Sequence, residues 1–442
     1  MDADQMRRML KRRLVFFLSF LCVLTPLGLS RASWLPARDE APLAARVDAY
    51  LQPLLKARHF SGVILIAQQG RVVYEKAFGL AQGRTPNRTQ TRFGVASITK
   101  SMTRALAVRL ITERKLGLQD KLSRWLPDFP RGDEITVENL LRHRSGLPHR
   151  VTTLAEESVP QTTGTMVEKA KGAQLQFTPG ARSAYSSTGF TVLTRVLELA
   201  AGKPYAQLLQ EHIFTPAGMN DSLDFDRVAL RSSLAREFVL DTRGPVALPV
   251  KDYSYLVGAG SVCSTARDVY RFGEAVLAGR YGESVKLSLT DNGVYTDNGN
   301  LDGYRCFVTL DSAKGYGFVV VSNLAAGANE LLARDLPALA QGQTVAPPQP
   351  PAPSFIKLTA AQLAGYAGVY QLGGRTFSFK LQDQQLYGAD FKLLPLGNDR
   401  FFNWSGYAEA RFLRQPDGGI RALEWQTPTG VSTWTRVQAG AK

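Results

Sequence analysis

The chain has 442 residues, of which 44% are hydrophobic and 21% charged, and its formal net charge is +15. This length suffices for two or three globular domains, and the composition is that of a folded protein rather than a disordered or fibrous one. The lysines and arginines are scattered and form no zinc-finger or RNA-binding pattern, so we expect a basic surface and no nucleic-acid partner.

The amino terminus has the layout of a secretory signal. A basic segment at 7–13 precedes an apolar run at 14–29, and small residues follow that run. We therefore predict a signal peptide at 1–32 and an exported protein, either periplasmic or secreted. The alternative is an uncleaved anchor, although the run is short for a membrane span and Pro26 interrupts it. Membrane contact is expected only through this segment.

Residues 33–344 alternate between sheet and helix patterns. An apolar stripe predicts a helix at 43–58, and strands follow at 61–67 and 72–79. Helical patterns and loops dominate residues 97–243. Beyond Ala266 the pattern predicts a helix and then strands at 286–290, 294–298, 304–310 and 316–322, with an Asn-Gly hairpin turn at 292–293. Strands at both ends of one helical insert predict a single domain whose sheet is completed by the returning chain, with a cleft between sheet and helices.

A proline-rich stretch at 345–354 predicts a stiff linker, because consecutive prolines join neither a helix nor a sheet ladder. Residues 355–442 then form a second predicted domain. Seven short strands are expected there, at 366–372, 375–382, 385–389, 400–404, 409–415, 420–426 and 431–437. This pattern predicts an all-β barrel or sandwich, most simply antiparallel.

Cysteine and histidine usage gives no sign of a metal site. Cys22 belongs to the predicted signal, and Cys263 and Cys306 either form a disulfide after export or remain two isolated buried thiols. The four histidines, at 59, 143, 149 and 212, lack metal-ligand spacing. We expect neither a metal nor another cofactor.

The strongest chemical signal is a serine three residues before a lysine, at Ser97 and Lys100. Both lie where an extended stretch passes into a helix, so Lys100 should lie one turn above Ser97 on the same face. A hydroxyl at a helix N-terminus is favoured as an alkoxide by the helix dipole, and an amine within reach can take its proton. Ser354 and Lys357 repeat the spacing beside the proline-rich linker without entering a helix, so the spacing alone is weak.

Further segments give this pair its context. They are FSGVIL at 60–65, LLRHRSGLP at 140–148, FTPG at 177–180, IFTPAGM at 213–219 and GAGSVCSTA at 258–266. In order and spacing they resemble the serine β-lactamase and penicillin-binding-protein superfamily, specifically its class C β-lactamase-like branch of esterases and peptidases. The resemblance implies an α+β fold: a β-lactamase-like antiparallel sheet flanked by helices, with an all-helical subdomain. It also implies that the carboxy-terminal barrel is lipocalin-like.

The resemblance assigns roles to residues beyond the serine. The family's Tyr-x-Asn motif corresponds to Tyr185-Ser186-Ser187, so Tyr185 is the candidate base working with Lys100. Ser187 replaces the asparagine that orients substrate amides, and its hydroxyl cannot offer both a carbonyl and an amino group. His143 is expected to support a loop rather than to join a serine-histidine-aspartate triad, since no Gly-x-Ser-x-Gly elbow exists.

The family's third motif, Lys-Thr-Gly or His-x-Gly, corresponds to Asp297-Asn298-Gly299. An aspartate in place of a cation or a neutral donor would hold Lys100 as an ammonium, oppose ionisation of Tyr185 and repel anionic substrates. The alternative is that Asp297 caps a strand end and points away. In either case the family's oxyanion hole would use the amides of Ser97 and Asn300, which do not depend on side-chain identity.

These features predict acyl transfer through Ser97 on a small ester, amide or peptide substrate. Esters or small amides are expected to be better substrates than β-lactams, since the amide-orienting asparagine and the third-motif cation are missing. The competing hypothesis is a weak or inactive relative that binds peptidoglycan-like or peptide ligands in the same cleft.

Overall fold

The computed structural model describes residues 42–225, 234–373, 375–388 and 391–437, so the predicted signal at 1–32 lies outside the described residues. The described helices are α1 (Leu43–Lys56), α2 (Ile98–Thr112), α3 (Val137–Leu141), α4 (Thr163–Lys171), α5 (Ser187–Ala201), α6 (Tyr205–Leu209), α7 (Thr215–Ala217), α8 (Ala266–Leu277), α9 (Glu283–Leu289), α10 (Ala328–Ala340) and α11 (Ala360–Ala364). A π-helical turn, Gln210–Phe214, joins α6 to α7. Among these helices none combines the length and apolar character needed to cross a membrane.

The strands of the amino-terminal three quarters of the chain are β1 (Gly62–Gln68), β2 (Arg71–Phe78), β3 (Leu80–Gln82), β4 (Thr85–Pro86), β5 (Phe93–Gly94), β6 (Leu223–Asp224), β7 (Phe238–Asp241), β8 (Gly244–Ala247), β9 (Val262–Ser264), β10 (Thr290–Asp291), β11 (Val294–Asn300), β12 (Arg305–Asp311), β13 (Tyr316–Ser322) and β14 (Leu324–Ala325). Six of them form an antiparallel sheet in the order β10-β11-β12-β13-β1-β2. The predicted completion of the sheet by the returning chain is therefore confirmed, because β13 pairs with β1.

Both faces of this sheet are buried. Side chains alternate along a strand, so Val63 and Leu65 of β1 pack in the core that contains α2 and α5, while Ile64 and Ile66 pack in the core that contains α1 and α10. Strand β13 divides its apolar residues between the same two cores. The unbroken apolar runs of these strands thus follow from their central position.

One predicted strand is wrong. Residues 286–290 were expected to be extended, but α9 occupies Glu283–Leu289 and only Thr290 enters β10. The alternation of Leu287, Ser288 and Leu289 imitates a strand. In the structure Val285 and Leu289, four residues apart, are the buried apolar residues of α9, which is helical spacing.

The carboxy-terminal region is a closed barrel of eight antiparallel strands: β15 (Gly368–Leu372), β16 (Arg375–Gln382), β17 (Gln385–Tyr387), β18 (Lys392–Gly397), β19 (Arg400–Asn403), β20 (Ala408–Arg414), β21 (Ile420–Thr427) and β22 (Gly430–Arg436). Seven were expected. The missing one, β18, contains Pro395 at a shift in its pairing with β19, so its sequence lacks the alternation of a regular strand. The α+β class with an added barrel is confirmed, while the domain boundaries at 32, 344 and 354 stay predictions.

One side of the barrel packs against the sheet core on the α1 and α10 side. Phe402, Trp404 and Tyr407 belong to that core. The Tyr407 hydroxyl lies 2.6 Å from His59 Nδ1, and Gly327 N–H donates to the Trp404 carbonyl over 3.1 Å. Burial lowers the pKa of His59 to about 4, so this contact involves a neutral imidazole at neutral pH.

The two cysteines outside the predicted signal are free thiols in the structure. Cys263 lies in β9 and Cys306 in β12, and both side chains are buried. Burial raises the pKa of each thiol well above its usual range. Of the two alternatives open from the sequence, the structure has the isolated buried thiols, which behave as small apolar groups.

Gly327 offers a test of the barrel contact. A Cβ on this residue would lie 2.4 Å from both the backbone nitrogen and Cγ of Tyr407. We expect Gly327→Ala to lower the free energy of unfolding by about 1–3 kcal/mol, measured by chemical denaturation. Gly164→Ala is the control, because its nearest neighbour atom lies at 3.7 Å and its position in α4 should tolerate or favour alanine. Equal stability of the two variants would contradict the contact.

Candidate active site

Ser97 lies at a sharp turn between β5 and α2. The preceding Ala96 has a φ of 51°, in the left-handed region that costs a non-glycine residue roughly 1–2 kcal/mol. Strand β9 holds both sides of the turn: Val95 N–H donates to the Val262 carbonyl over 3.0 Å, and Val262 N–H donates to Thr99 Oγ1 over 3.1 Å. The serine is therefore presented from a backbone fixed by its neighbours rather than from a free loop.

Tyr185 meets this serine directly. Its hydroxyl lies 2.7 Å from Ser97 Oγ. Tyr185 immediately precedes the N-cap of α5, where Ser186 Oγ accepts from the Gly189 amide over 2.8 Å. The tyrosine is 44% exposed, so its hydroxyl stands at the open side of the site.

Lys100 is buried beneath this pair. Its ammonium donates to Ser187 Oγ over 3.2 Å and to the Ala259 carbonyl over 2.6 Å. The nitrogen also lies 4.8 Å from the centroid of the Tyr185 ring and 5.8 Å from that of Phe190. Two neutral acceptors and two aromatic faces thus stabilise the cation without cancelling its charge.

Gly299 brings β11 against the turn that carries Ser97. A Cβ on this residue would lie 2.2 Å from the Val95 carbonyl oxygen and 3.0 Å from the Ser97 amide nitrogen. Only glycine allows this approach of one backbone to another. The next residue, Asn300, is exposed at the end of β11, opposite Arg305 of β12. The amides at positions 97 and 300 are thereby carried by two segments in close contact.

Asp297 lies inside β11 and faces α2. Its carboxylate accepts a short hydrogen bond from Ser101 Oγ, and its other oxygen accepts from the Asn298 amide over 2.8 Å. Ser101 directly follows Lys100, so the aspartate is hydrogen-bonded to the helix turn that carries the lysine. A position at a strand end, the alternative considered from sequence, does not match this geometry.

Two histidines flank Tyr185. The ring of His143 lies 4.6 Å and that of His149 5.4 Å from its ring, centroid to centroid. His143 Nδ1 accepts from the Ser186 amide over 3.1 Å, and the His149 carbonyl accepts from the Ser187 amide over 3.2 Å. Burial and the charge of Lys100 lower the pKa of His143 to about 3, and burial and the charge of Arg150 lower that of His149 to about 4. Both rings are neutral at physiological pH.

Comparison with known proteins places the chain in a family. The family model described as Beta-lactamase matches residues 47–343, which is more than half of the chain. The chain belongs to the beta-lactamase family. Relatives include a putative penicillin-binding protein, PbpX of Bacillus subtilis, with 30% identity over 228 residues, and esterase EstB of Burkholderia gladioli, with 34% identity over 205 residues.

These matches cover part of each protein. The PbpX match spans 51% of this chain and 57% of PbpX, and the EstB match spans 41% of this chain and 52% of EstB. Among solved structures, that of a D-amino acid amidase from Ochrobactrum anthropi is similar with a TM-score of 0.59 and 23% identity, covering 67% of this chain and 99% of the amidase. At that identity the likeness concerns the fold.

In this beta-lactamase-family protein, four of the candidate residues predicted from the sequence form two contacting pairs. The Ser97 hydroxyl contacts that of Tyr185, and Lys100 donates to Ser187, the residue predicted to stand in place of the family's asparagine. The Ala259 carbonyl and the Phe190 ring were not expected beside the lysine. Ala259 lies within the segment GAGSVCSTA, which follows the Tyr185-Ser186-Ser187 motif in the chain. The resemblance of that segment to the family was the one sequence signal that could have placed it near the site.

The depressed pKa of His143 generates a test. The unfolded chain titrates near 6.5 and the folded ring near 3, so between these values the unfolded state binds more protons and acidification favours unfolding. Asparagine tolerates the φ of 55° at this position and can accept from the Ser186 amide. We expect His143→Asn to reduce the slope of unfolding free energy against pH by up to about 1.4 kcal/mol per pH unit across that window.

The matched variant is His212→Asn, at a histidine that is only partly buried. Its pKa is also lowered by burial, but its ring stands nearer to solvent, so a smaller change in slope is expected. Denaturation curves at a series of pH values give both slopes. Identical slopes for His143→Asn and the unaltered protein would show that the pKa of His143 is not lowered in the folded state.

Proposed function

We propose that this protein is a serine hydrolase that transfers an acyl group from an ester or small amide to Ser97 and then to water. The observation that carries the proposal is the 2.7 Å contact between Ser97 Oγ and the Tyr185 hydroxyl, with Lys100 buried beneath it. A hydroxyl needs an adjacent base to become a nucleophile. Membership of a family that includes an esterase supports the choice of ester.

The proposed reaction begins when Tyr185, as phenolate, accepts the proton of Ser97 Oγ. The oxygen then bonds to the substrate carbonyl carbon, and the ammonium of Lys100 stabilises the negative charge that Tyr185 carries before the transfer. Tyr185 returns the proton to the leaving oxygen or nitrogen as its bond to the carbonyl carbon breaks. Water repeats the sequence on the acyl-enzyme, which releases the acid and restores Ser97.

The tetrahedral oxyanion would be held by the amides of Ser97 and Asn300. The close approach at Gly299 supports this assignment, because it sets the end of β11 beside the first turn of α2. Preorganised amides of this kind contribute on the order of 10² to 10³ in rate each. Asp297 and Ser187 bear on substrate choice: a carboxylate beside this turn opposes anionic substrates, and Ser187 makes fewer hydrogen bonds than asparagine.

Export to the periplasm or the exterior is part of the proposal. It is supported by the basic and apolar segments at 7–13 and 14–29, which have the order of a secretory signal. Membrane contact is proposed only through that segment, as a cleaved signal or as an anchor.

The chain supplies its own control for a labelling test. A fluorophosphonate probe reacts with an activated serine, so we expect a covalent adduct that is lost in Ser97→Ala and retained in Ser354→Ala, which removes the serine of the second Ser-x-x-Lys pattern. Hydrolysis of p-nitrophenyl esters should fall by a factor on the order of 10³ or more in Ser97→Ala. Absence of a Ser97-dependent adduct would favour the non-catalytic binding protein instead.

Asp297 provides a second prediction. Replacing it with histidine removes a negative charge that lies beside the turn carrying Lys100, so hydrolysis should rise on the order of tenfold. Asp297→Asn is the matched variant, because it removes the charge and can still accept from Ser101 Oγ; an intermediate rise is expected. Steady-state kinetics with one ester measure both. If kcat/KM is unchanged in the two variants, the charge of Asp297 does not lower the rate of hydrolysis.

A further inference from the structure

The turn that joins β11 to β12 contacts the segment that carries Ser97. It spans residues 301–304 and directly follows Asn300, whose amide belongs to the proposed oxyanion hole. Tyr304 of this turn packs against β5: a Cβ on Gly94, three residues before Ser97, would lie 2.7 Å from Cδ2 of the Tyr304 ring. A displacement of the turn would move the Asn300 amide, because Asn300 is the residue that enters the turn.

Glu237 and its chain neighbours bind this turn. Gly303 N–H donates to Glu237 Oε1 over 2.8 Å. A Cβ on Gly303 would lie 2.6 Å from Glu237 Cβ and 2.9 Å from the Phe238 backbone nitrogen, so only glycine allows the approach. The Tyr304 hydroxyl donates to the Ala235 carbonyl. Three residues of one short segment therefore hold the turn in place.

The backbone of Glu237 is itself fixed on both sides. Phe238 N–H donates to the Asn323 carbonyl over 2.8 Å, and Asn323 Nδ2 donates to the Arg236 carbonyl over 2.7 Å. Leu248 N–H donates to the Glu237 carbonyl over 2.9 Å, and the Arg236 guanidinium donates to the Leu248 carbonyl over 3.2 Å. The carboxylate thus extends from a supported backbone, which is what a positioning contact requires.

The second carboxylate oxygen of Glu237 reaches the other side of the site. The Tyr253 hydroxyl donates a short hydrogen bond to Glu237 Oε2. Tyr253 begins a 3-10 helical turn, Tyr253–Leu256, which leads to Ala259, and the Ala259 carbonyl accepts from Lys100. One carboxylate therefore links the turn after the proposed oxyanion amide to the segment that holds the lysine.

We propose that Glu237 is a positioning residue of the active site, whose carboxylate fixes the 301–304 turn and thereby the Asn300 amide relative to Ser97. This inference rests on the proposed acyl transfer and oxyanion hole, and adds to them a residue that does not touch the substrate. A hydrogen bond to an ionised carboxylate is roughly twice as strong as one to a neutral acceptor. The turn is therefore held most firmly while Glu237 is ionised, and protonation should lower the rate without unfolding the protein.

The surroundings of Glu237 make this protonation occur near neutral pH. Glu237 is 6% exposed, and burial raises the pKa of its carboxyl to about 7, although Tyr253 and Gly303 donate to the ionised form. Asp302 raises this pKa and Lys251 lowers it, and these two side chains lie 2.6 Å apart, Nζ to Oδ2. Further titratable groups near Glu237 are neutral at this pH, because burial raises their pKa: Tyr253, Tyr255, Tyr304 and Cys263.

Glu237→Gln tests the inference, because glutamine has nearly the shape of glutamate and, like its protonated form, carries no charge. At about pH 8 we expect kcat/KM for a p-nitrophenyl ester to be roughly fivefold higher in the unaltered protein than in Glu237→Gln. As the pH falls through about 7 the unaltered protein loses the carboxylate charge, so this ratio should approach one by about pH 5.5. A merely structural role would lower stability and leave the ratio independent of pH.

Two further variants accompany this measurement. Asp268→Asn is the control, because it also replaces a buried carboxyl whose pKa burial raises, but one that accepts from the Asp221 amide and the Ser222 hydroxyl; its ratio should not change across the same pH range. Tyr253→Phe leaves Glu237 unaltered and removes a hydrogen bond that lowers the pKa of Glu237. In that variant the ionisation seen near pH 7 in kcat/KM should move to higher pH, and an unshifted ionisation would contradict the inference.

Hydrogen exchange separates this inference from the proposed function. In Ser97→Ala, which cannot form the acyl-enzyme, the amides of 300–304 should be better protected above pH 7 than below it, after correction for the intrinsic pH dependence of exchange. The difference should vanish when Glu237→Gln is added. That result supports the inference even if the protein hydrolyses no ester. A kcat/KM ratio that does not change with pH, or equal protection of the turn with and without Glu237→Gln at every pH, overturns it.

Discussion

The contact of Gly299 with the turn at Ala96 and Ser97 is the constraint on which the site depends. At this point a sheet strand and the start of a helix approach so closely that a Cβ would lie 2.2 Å from the Val95 carbonyl oxygen. The strand thereby fixes where the serine amide points, and the strained φ of Ala96 is maintained by the hydrogen bonds of β9 on either side. Strain of this kind persists where surrounding structure over-determines the backbone.

The electrostatics of the site depend on Lys100 having mostly neutral neighbours. Lys100 is bonded to a hydroxyl and a backbone carbonyl, and the two imidazoles beside Tyr185 are uncharged at physiological pH. The positive charge of the buried Lys100 is therefore available to Tyr185 at short range, where it is less screened than in bulk solvent. Asp297 is the nearby exception: it lies on β11, and its contact with Ser101 holds its carboxylate against the helix turn that carries the lysine.

Much of the fold could be predicted from sequence, because periodicity records which faces are buried. The apolar runs of β1 and β13 could be recognised from neighbouring residues alone. The same holds for the Asn292-Gly293 turn, whose residues have φ values of 48° and 76°. Helix α9 and strand β18 did not: the first alternates like a strand, and the second holds a proline at a bulge.

The site divides in the same way. Motif spacing was enough to select Ser97, Lys100 and Tyr185 as candidates, since the residues of each motif are close in sequence. The Ala259 carbonyl and the His149 ring reach the site from distant loops, and no local pattern encodes such a meeting.

The return of the chain to complete its own sheet also shapes how the protein must fold. Beside the pairing of β1 with β13, Ser61 Oγ donates to Asn323 Oδ1 across 262 positions of sequence. Contacts of such long range form late, because the entropy of closing the loop is lost before the contact is gained. Until β13 docks, β1 presents an apolar strand with one edge unpaired, which is the kind of surface that aggregates. The position of Gly299 against Ser97 thus depends on a sheet that is closed by its longest-range pairing.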